Sequence, residues 1–485
     1  MKKQDRRTFI KSLAAGTAAA AISGSIPISC RGHIGKKQPN ILFLFTDDQR
    51  FDTIGCLNKN IVKTPNLDRL VHKGVAFTRA HIMGGTSGAV CMPSRAMLLC
   101  GKTLFNLEKQ GAFIPKKHIM LPEFLRQNGY KTFGTGKWHN GKNAYSRCFD
   151  DGGKILFGGM SSHTDILVYD FDPRGEYSQE KQYRENTFSS ELFSNEAIRF
   201  LEGYTSDEPF FLYAAYTAPH DPRMAPEEFT AVYKPDDIPL PENFMPEHPF
   251  DNGELDIRDE NLAPHPRTPE VIREHIAGYY AMITHLDFHI GRVLEALECT
   301  GKVDNTIIVF MGDNGLAVGQ HGLMGKQNLY DHSVRVPLIF SGPGIPRNKT
   351  TEALCYLSDI YPTLCDFLGI TAPSSVEGAS LKDIIEGKEE QIRDRVFLAY
   401  RHLQRGLRTV DNWKLIKYNV GGVETTQLFN LNDDPWELNN LANDNSFRQR
   451  VKGLTSLLHS DMKALDDICS LNKLNWGITE RGDGI

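Results

Sequence analysis

Cysteine is present but in no metal-binding arrangement. Nine cysteines are spread along 485 residues, with no Cys-x-x-Cys pair and no Cys/His spacing that suits zinc. A structural zinc site is therefore not expected. A basic excess is also missing. The net charge of −5 argues against non-specific nucleic-acid binding, which needs a surface that neutralises phosphates. It leaves room for a local basic patch that draws an anion into a cleft. There is no internal repeat and no long low-complexity tract, and beyond residue 28 no apolar run is long enough to cross a bilayer. What remains is ordinary for a soluble globular chain, 40% hydrophobic and 24% charged, long enough for a large domain and a smaller one.

The N-terminus has its own character. Arg6-Arg7-Thr8-Phe9-Ile10-Lys11 is a basic segment, and Ser12 to Ile28 is apolar and rich in alanine. Together they read as a bacterial export signal of the twin-arginine type. Polar and proline interruptions argue against a membrane anchor. Cys30, after Pro27-Ile28-Ser29, is a candidate lipidation site with an imperfect lipobox. Residues 1–36 are thus expected to be signal and linker, and the mature protein periplasmic or lipid-anchored at a bacterial cell surface.

From residue 37 the pattern alternates. Ile41 to Phe45 reads as a buried central strand ending at Thr46-Asp47-Asp48. Thr306 to Met311 ends likewise at Gly312-Asp313-Asn314-Gly315, and Phe210 to Tyr216 at Ala218-Pro219-His220. A weaker strand, Lys131 to Gly136, leads to Lys137-Trp138-His139, and Val336 to Phe340 ends at Gly342-Pro343-Gly344. Helical patterns lie between, at Asn66–Lys73, Leu121–Asn128, Glu191–Leu201 and Val271–Leu297. Alternating strand and helix predicts an α/β fold with a large, doubly wound, mostly parallel sheet over residues 37–386. Asp221 to Thr268 lacks periodicity and reads as a long surface excursion walling a pocket. Residues 387–485 change character. The short runs Arg395–Tyr400, Gly406–Val410, Trp413–Tyr418 and Thr426–Asn430 predict a four-stranded antiparallel sheet, with a helix over about 447–467 packed on it.

Each polar cluster after a strand is, taken singly, an ordinary turn signal. Four of them at carboxyl ends point to one shared site, because ligands in open α/β sheets bind there. Asp47, Asp48, Asp313 and Asn314 offer hard oxygen donors, which suit Ca²⁺ or Mg²⁺ rather than zinc. Arg95, Lys137, His139, His220 and Lys326 offer positive donors and groups that exchange protons near neutral pH.

The pentapeptide Cys91-Met92-Pro93-Ser94-Arg95 has the spacing on which a sulfatase-maturating enzyme acts, oxidising the cysteine to formylglycine (3-oxoalanine). Around it stand Thr64-Pro65-Asn66-Leu67-Asp68, Gly136-Lys137-Trp138-His139, Ala218-Pro219-His220, Gly312-Asp313-Asn314-Gly315 and His321 to Lys326. Tyr330 to Pro337 and Asn430 to Glu437 complete the set, with Asp331 where glutamate is usual and Asn140 where leucine is frequent. Taken together, the chain resembles the formylglycine-dependent type I sulfatases of the alkaline phosphatase-like superfamily, over nearly its whole length after the export segment.

The resemblance implies hydrolysis of sulfate esters, with Asp47, Asp48, Asp313, Asn314 and the modified Cys91 holding a metal, usually calcium. Arg95 and Lys137 would hold the hydrated aldehyde, and Lys326, with Lys137, the sulfate. His220 would be the acid on the leaving alcohol and His139 the later base. One hydroxyl of the hydrate would attack sulfur and the other, once deprotonated, would expel sulfate. The superfamily also contains phosphatases, phosphodiesterases and phosphonate monoester hydrolases; no two-zinc ligand set speaks for the first. A lipid-anchored glycan-binding protein with a dead site is a third reading, opposed by the intact polar set. Export suggests a sulfated glycan substrate; a galactose-type unit is the expected sugar, with Asp170, Asp172, Arg174, Arg401, His402 and Gln404 as candidate contacts. With Cys30 and Cys91 set aside, seven cysteines remain, so at least one is unpaired; most read as small buried hydrophobes.

Overall fold

The structure is a computed structural model that describes residues 37–58 and 61–478. The export-type segment and Cys30 lie outside the described residues. In chain order the strands of the two larger sheets are β1 (Asn40–Thr46), β2 (Gly74–His81), β3 (Gly84–Gly85), β4 (Lys131–Trp138), β5 (Asp151–Phe157), β6 (Phe210–Ala215) and β7 (Thr306–Gly312). They continue as β8 (Arg335–Ser341), β9 (Lys349–Thr351), β10 (Cys355–Tyr356), β11 (Arg395–Tyr400), β12 (Gln404–Thr409), β13 (Trp413–Val420) and β14 (Val423–Asn430), and a separate hairpin pairs Ile166–Val168 with Tyr183–Glu185. The principal helices are α1 (Pro65–Lys73), α2 (Cys91–Cys100), α3 (Ser189–Gly203), α4 (Pro269–Cys299), α5 (Ile360–Leu368) and α6 (Arg448–Ala464).

An apolar run such as that of β1 cannot face water on either side, so it takes the middle of a sheet covered on both faces. β1 is buried along its length and lies between β6 and β7, parallel to both. The order across the nine-stranded sheet is β9-β2-β8-β7-β1-β6-β4-β5, with β10 also on β2. Only β8 runs antiparallel to its neighbours. Successive side chains of a strand point to opposite faces. Leu42 and Leu44 therefore pack with Leu67 and Leu70 of α1, Ala197 and Leu201 of α3, and Leu286 and Ile290 of α4. Ile41, Phe43 and Phe45 meet Leu98 and Leu99 of α2 and Leu364 of α5 on the other face. Each such side chain contributes roughly 1.5–3 kcal/mol by leaving water. The architecture is the expected α/β one, with a smaller antiparallel sheet beside it.

Four elements escape the sequence pattern. β2 and β5 carry glycines and polar residues that blur their alternation. α2 is buried almost all round, so its sequence has no polar face from which to read a period. The fourth is β3, which adds a fifth strand to the small sheet: β11 to β14 form the antiparallel meander, and Gly84–Gly85 pairs parallel to β11. α6 covers the meander through Leu454, Leu458 and Met462. α4 starts at Pro269, two residues before its apolar period, because the Thr268 side chain accepts a hydrogen bond from the Val271 N–H. Asp221 to Thr268 holds only short helical turns, and it buries Asn243, Asn252, Glu254, Asp259 and Glu260. Among the described residues all eight cysteines are free, six of them buried, and no helix is long and apolar enough to cross a membrane.

Candidate active site

β1, β4, β6 and β7 end on one side of the sheet, and their polar tails meet there. Asp47 and Asp48 follow β1, and Asp48 holds a left-handed φ of 62°, a strained state for an aspartate. Its backbone N–H donates to Asp313 Oδ1 at 3.0 Å, which locks the ends of β1 and β7 together. On β4 the register with β5 slips between Thr135 and Gly136, a bulge that re-aims the strand end. Gly136 has a φ of 90°, and a Cβ there would meet the Ala215 carbonyl at 1.8 Å. The next residue, Lys137, is thereby buried against Asp47 Oδ2, to which its Nζ donates.

Cys91 opens α2 at the heart of this cluster. Its Sγ lies 3.3 Å from His139 Nδ1 and 3.8 Å from Lys137 Nζ. Arg95, one turn on, donates from Nε to Asp313 Oδ2 at 2.8 Å and from one terminal nitrogen to the Lys137 carbonyl at 3.3 Å. Lys326 Nζ and Asn314 Nδ2 both donate to Asp48 Oδ1, at 2.6 and 2.7 Å. His220 Nε2 stands 3.5 Å from Asp48 Oδ2, and its Nδ1 faces Asp221 Oδ1 at 3.2 Å. All ten residues whose roles the resemblance implied thus converge on one buried spot.

The charges there shape one another. Burial pushes the Asp47 carboxyl up, but Lys137, His220, Arg95 and Lys326 outweigh it and hold it well below the usual range. Asp313 is pushed up to about 7, first by burial and then by the charge of Asp47. Burial works against the charged form of Lys326, yet Asp48, Cys91, Asp47 and Asp259 raise it well above a free lysine. His139 is held down to about 2 by burial and by Lys137 and Arg95, so it is a neutral base at ordinary pH. Burial raises the Cys91 thiol.

A cation fits this donor set. Asp47, Cys91 and Asp313 each present a donor atom, all within 4.8 Å of one another. Asp47 Oδ1 and Asn314 Oδ1 are buried with no hydrogen-bond partner, a costly state that a metal ion would relieve. Carboxylate and amide oxygens suit a hard divalent ion.

Above Cys91 opens a cavity of about 460 Å³, within the range of pockets that take small organic molecules. Its walls include His139, His220, Lys326, Glu254, Arg258 and Arg401. Of the expected sugar contacts, Arg401 lies on this wall and binds Glu254 Oε1 at 2.9 Å. His402 lines a neighbouring cavity beside Phe105 and Lys109. Gln404 is buried beneath, donating to the Gln327 carbonyl at 3.1 Å. Asp170, Asp172 and Arg174 are not brought to the cavity; they pair with Tyr183, Lys181 and Glu176 on another part of the surface.

Several residues of the site had no signal in the sequence. Glu254, Arg258 and Asp259 come from the aperiodic excursion, and Gln327 from the segment after Lys326. Asp221 was visible only as the neighbour of His220, and a guanidinium of Arg258 holds its carboxylate at 3.0 Å. Asn140 donates to the carbonyls of Met92 and Gly111, at 3.0 and 2.7 Å, so it props the start of α2.

Comparison with known proteins agrees with this geometry. The sulfatase family profile matches residues 39–370. A second profile, N-sulphoglucosamine sulphohydrolase, C-terminal, matches residues 319–464. An N-acetylglucosamine-6-O-sulfatase of Bacteroides thetaiotaomicron is 27% identical, over 89% of this chain and 87% of its own. Among solved structures, one described in complex with its substrate D-glucosamine-2-N,6-O-disulfate aligns with a TM-score of 0.73 at 24% identity, over 90% of this chain and 99% of that one. The phosphonate monoester hydrolase of Agrobacterium radiobacter aligns with a TM-score of 0.72 at 23% identity, over 88% and 96%. At those identities the two structures speak for the fold.

Proposed function

The chain belongs to the sulfatase family and is a sulfuric ester hydrolase, and from that premise we propose that it releases sulfate from a sulfated carbohydrate with a nucleophile made from Cys91. The observation that carries this reading is the meeting of Cys91 with Asp47, Asp313, Lys137 and His139 at the floor of a sugar-sized cavity. The cavity wall offers hydrogen-bonding groups, Glu254, Arg258, Asp259, Gln327 and Arg401, of the kind sugar hydroxyls need. The N-acetylglucosamine-6-O-sulfatase relative favours a hexosamine unit over the galactose-type unit expected from the sequence. Export itself is supported by Arg6-Arg7 and the apolar run that follows.

Asp47, Asp48, Asp313, Asn314 and the side chain at position 91 would hold the metal; their oxygen donors suit Ca²⁺ or Mg²⁺, and the family resemblance favours calcium. When bound, it supplies positive charge that stabilises an oxygen nucleophile and the sulfate oxygens. Oxidation of Cys91 by a maturating enzyme supplies an aldehyde whose hydrate is that nucleophile. The protein's own side chains do the rest. Lys326 lines the cavity and Lys137 Nζ lies 3.8 Å from Cys91 Sγ, so both ammonium groups stand near where sulfate oxygens would lie, and a buried positive donor is worth most there. Arg95 fixes Asp313 and the end of β4, so the carboxylates keep their direction. His220 faces the cavity with Nδ1 against Asp221, which leaves Nε2 to give a proton to the departing alcohol. His139, neutral and 3.3 Å from Sγ, takes a proton from the side chain at position 91.

The test is sulfate release from a panel of position-specific sulfated hexoses and hexosamines, using protein produced with a maturating enzyme and checked for the aldehyde by mass spectrometry. Cys91→Ser should lower turnover by at least ~100-fold, since an unhydrated serine cannot regenerate by C–O cleavage. Near wild-type turnover in that variant, or hydrolysis of phosphonate monoesters with no release of sulfate from any ester, would refute the reading.

A further inference from the structure

Where the edge of the large sheet meets the small sheet lies a second cavity, of about 250 Å³, away from Cys91. Three guanidinium groups line it: Arg79 on β2, Arg335 at the start of β8 and Arg408 on β12. Arg408 is 3% exposed. It donates to Asp331 Oδ2 at 2.6 Å, and Arg335 approaches that same oxygen at 3.5 Å, so two guanidinium groups share one carboxylate oxygen. Lys414 Nζ takes the other Asp331 oxygen at 2.7 Å and also pairs with Glu437. Arg79 pairs with Glu352, whose side chain is 69% exposed on the rim. Four cations therefore face two buried carboxylates and one acid in water.

Burial weighs on both signs of charge here. It pushes the Glu437 carboxyl up against the pull of Lys414. Burial, with the neighbouring Arg408 and Arg79, lowers Arg335 to about 10 against the pull of Asp331. Arg408 Nε is buried and has no hydrogen-bond partner. Uncompensated positive charge in a protein interior is costly, and an anion is what relieves it.

We propose that this cavity binds one small tetrahedral oxyanion, inorganic sulfate or phosphate, gripped by Arg79, Arg335 and Arg408. Guanidinium groups present planar pairs of donors that match the oxygens of such an anion. The volume lies below the roughly 300–1,000 Å³ of pockets that take organic ligands, which favours a free ion over a sugar-borne sulfate. The ion joins β2 and β8 of the large sheet to β12 of the small one. Binding only the folded joint, it stabilises the molecule by mass action. The site stands whatever the ester substrate is. If sulfate is the product of the reaction, the protein is steadied by what it releases.

Two measurements test this. Crystals of the mature chain soaked in sodium selenate, a tetrahedral sulfate analogue with an anomalous signal, should show a peak between the three arginines; a peak only beside Cys91, or none, overturns the proposal. Thermal unfolding of Cys91→Ser protein should then be followed in sulfate, phosphate and chloride at equal ionic strength. Sulfate and phosphate should raise Tm more than chloride does, and the excess should fall below half in Cys91→Ser carrying Arg79→Gln. Equal gains in both proteins, or chloride matching sulfate, overturn it. A gain from a sulfated monosaccharide that Arg79→Gln abolishes would move the site from the free ion to the sugar.

Discussion

Lys326 donates to Asp48 Oδ1 at 2.6 Å while lining the cavity above Cys91, so one ammonium both neutralises a carboxylate and faces the substrate. Replacing it by alanine removes a buried donor aimed at transition-state charge. Lys326→Ala should lower kcat/KM by about 100- to 1,000-fold, the cost of losing one such donor elsewhere. Steady-state kinetics check this, with unfolding measured in parallel; a loss below tenfold would deny the lysine its contact with sulfate. At this scale the sequence was generous. Asp47, Asp48, Asp313, Asn314, Lys137, His139 and His220 were legible because each lies at or just beyond the carboxyl end of a strand, where a parallel sheet gathers its ligands. Glu254 and Arg258 were not, since an aperiodic segment says nothing of which side chain it turns inward.

Among elements, α1 shows how tertiary structure completes what local sequence begins. Thr64 gives the helix no side-chain cap, although threonine precedes Pro65 as a cap would. Asp287, in the middle of α4, takes that role. It accepts from the Asn66 and Leu67 backbone N–H groups at 3.1 and 2.8 Å and from Asn66 Nδ2 at 3.0 Å. Asp287→Ala would leave buried donors unpaired and should cost about 1–3 kcal/mol, measured by chemical denaturation. A change within a few tenths would mean water replaces the carboxylate. Such a cap joins residues some 220 positions apart, and no local pattern announces it. The small sheet makes the same point. Its four-strand meander was readable from alternation and turns, whereas Gly84–Gly85 joins by backbone alone.

For the whole molecule, buried charge sets how it withstands change. Asp331 holds Arg408 and Lys414 across the joint between the sheets. Asp331→Ala should destabilise by about 3–5 kcal/mol, because it leaves buried cations unpaired, and should appear as a large fall in Tm. A variant of near wild-type Tm would mean the joint reorganises freely. Histidines give a second test. His163 and His248 are held down to about 4 and His321 to about 3, chiefly by burial. Unfolded, each takes its proton near pH 6.5, so below that the unfolded state binds more protons. Stability contributed by keeping them neutral is full above about pH 6.5 and is lost as pH falls towards about 3–4. The slope is about 1.4 kcal/mol per pH unit for each proton. Calorimetry between pH 7 and 4.5 should show Tm falling steadily; a flat profile would mean the rings find partners when charged.

By itself the sequence determined the reaction class and the floor of the site. Continuous apolar runs bounded by turn signals read as central strands, the carboxyl ends of such a sheet converge, and Cys91 to Arg95 carries the spacing that resembles the sulfatases at that point. The tertiary structure decided the rest: which loop residues wall the cavity above Cys91, that Asp170, Asp172 and Arg174 stand apart from it, and that arginines from both sheets crowd one buried aspartate. Those outcomes depend on long-range packing and on charge brought together from distant segments, and neither leaves a period or a spacing in the chain.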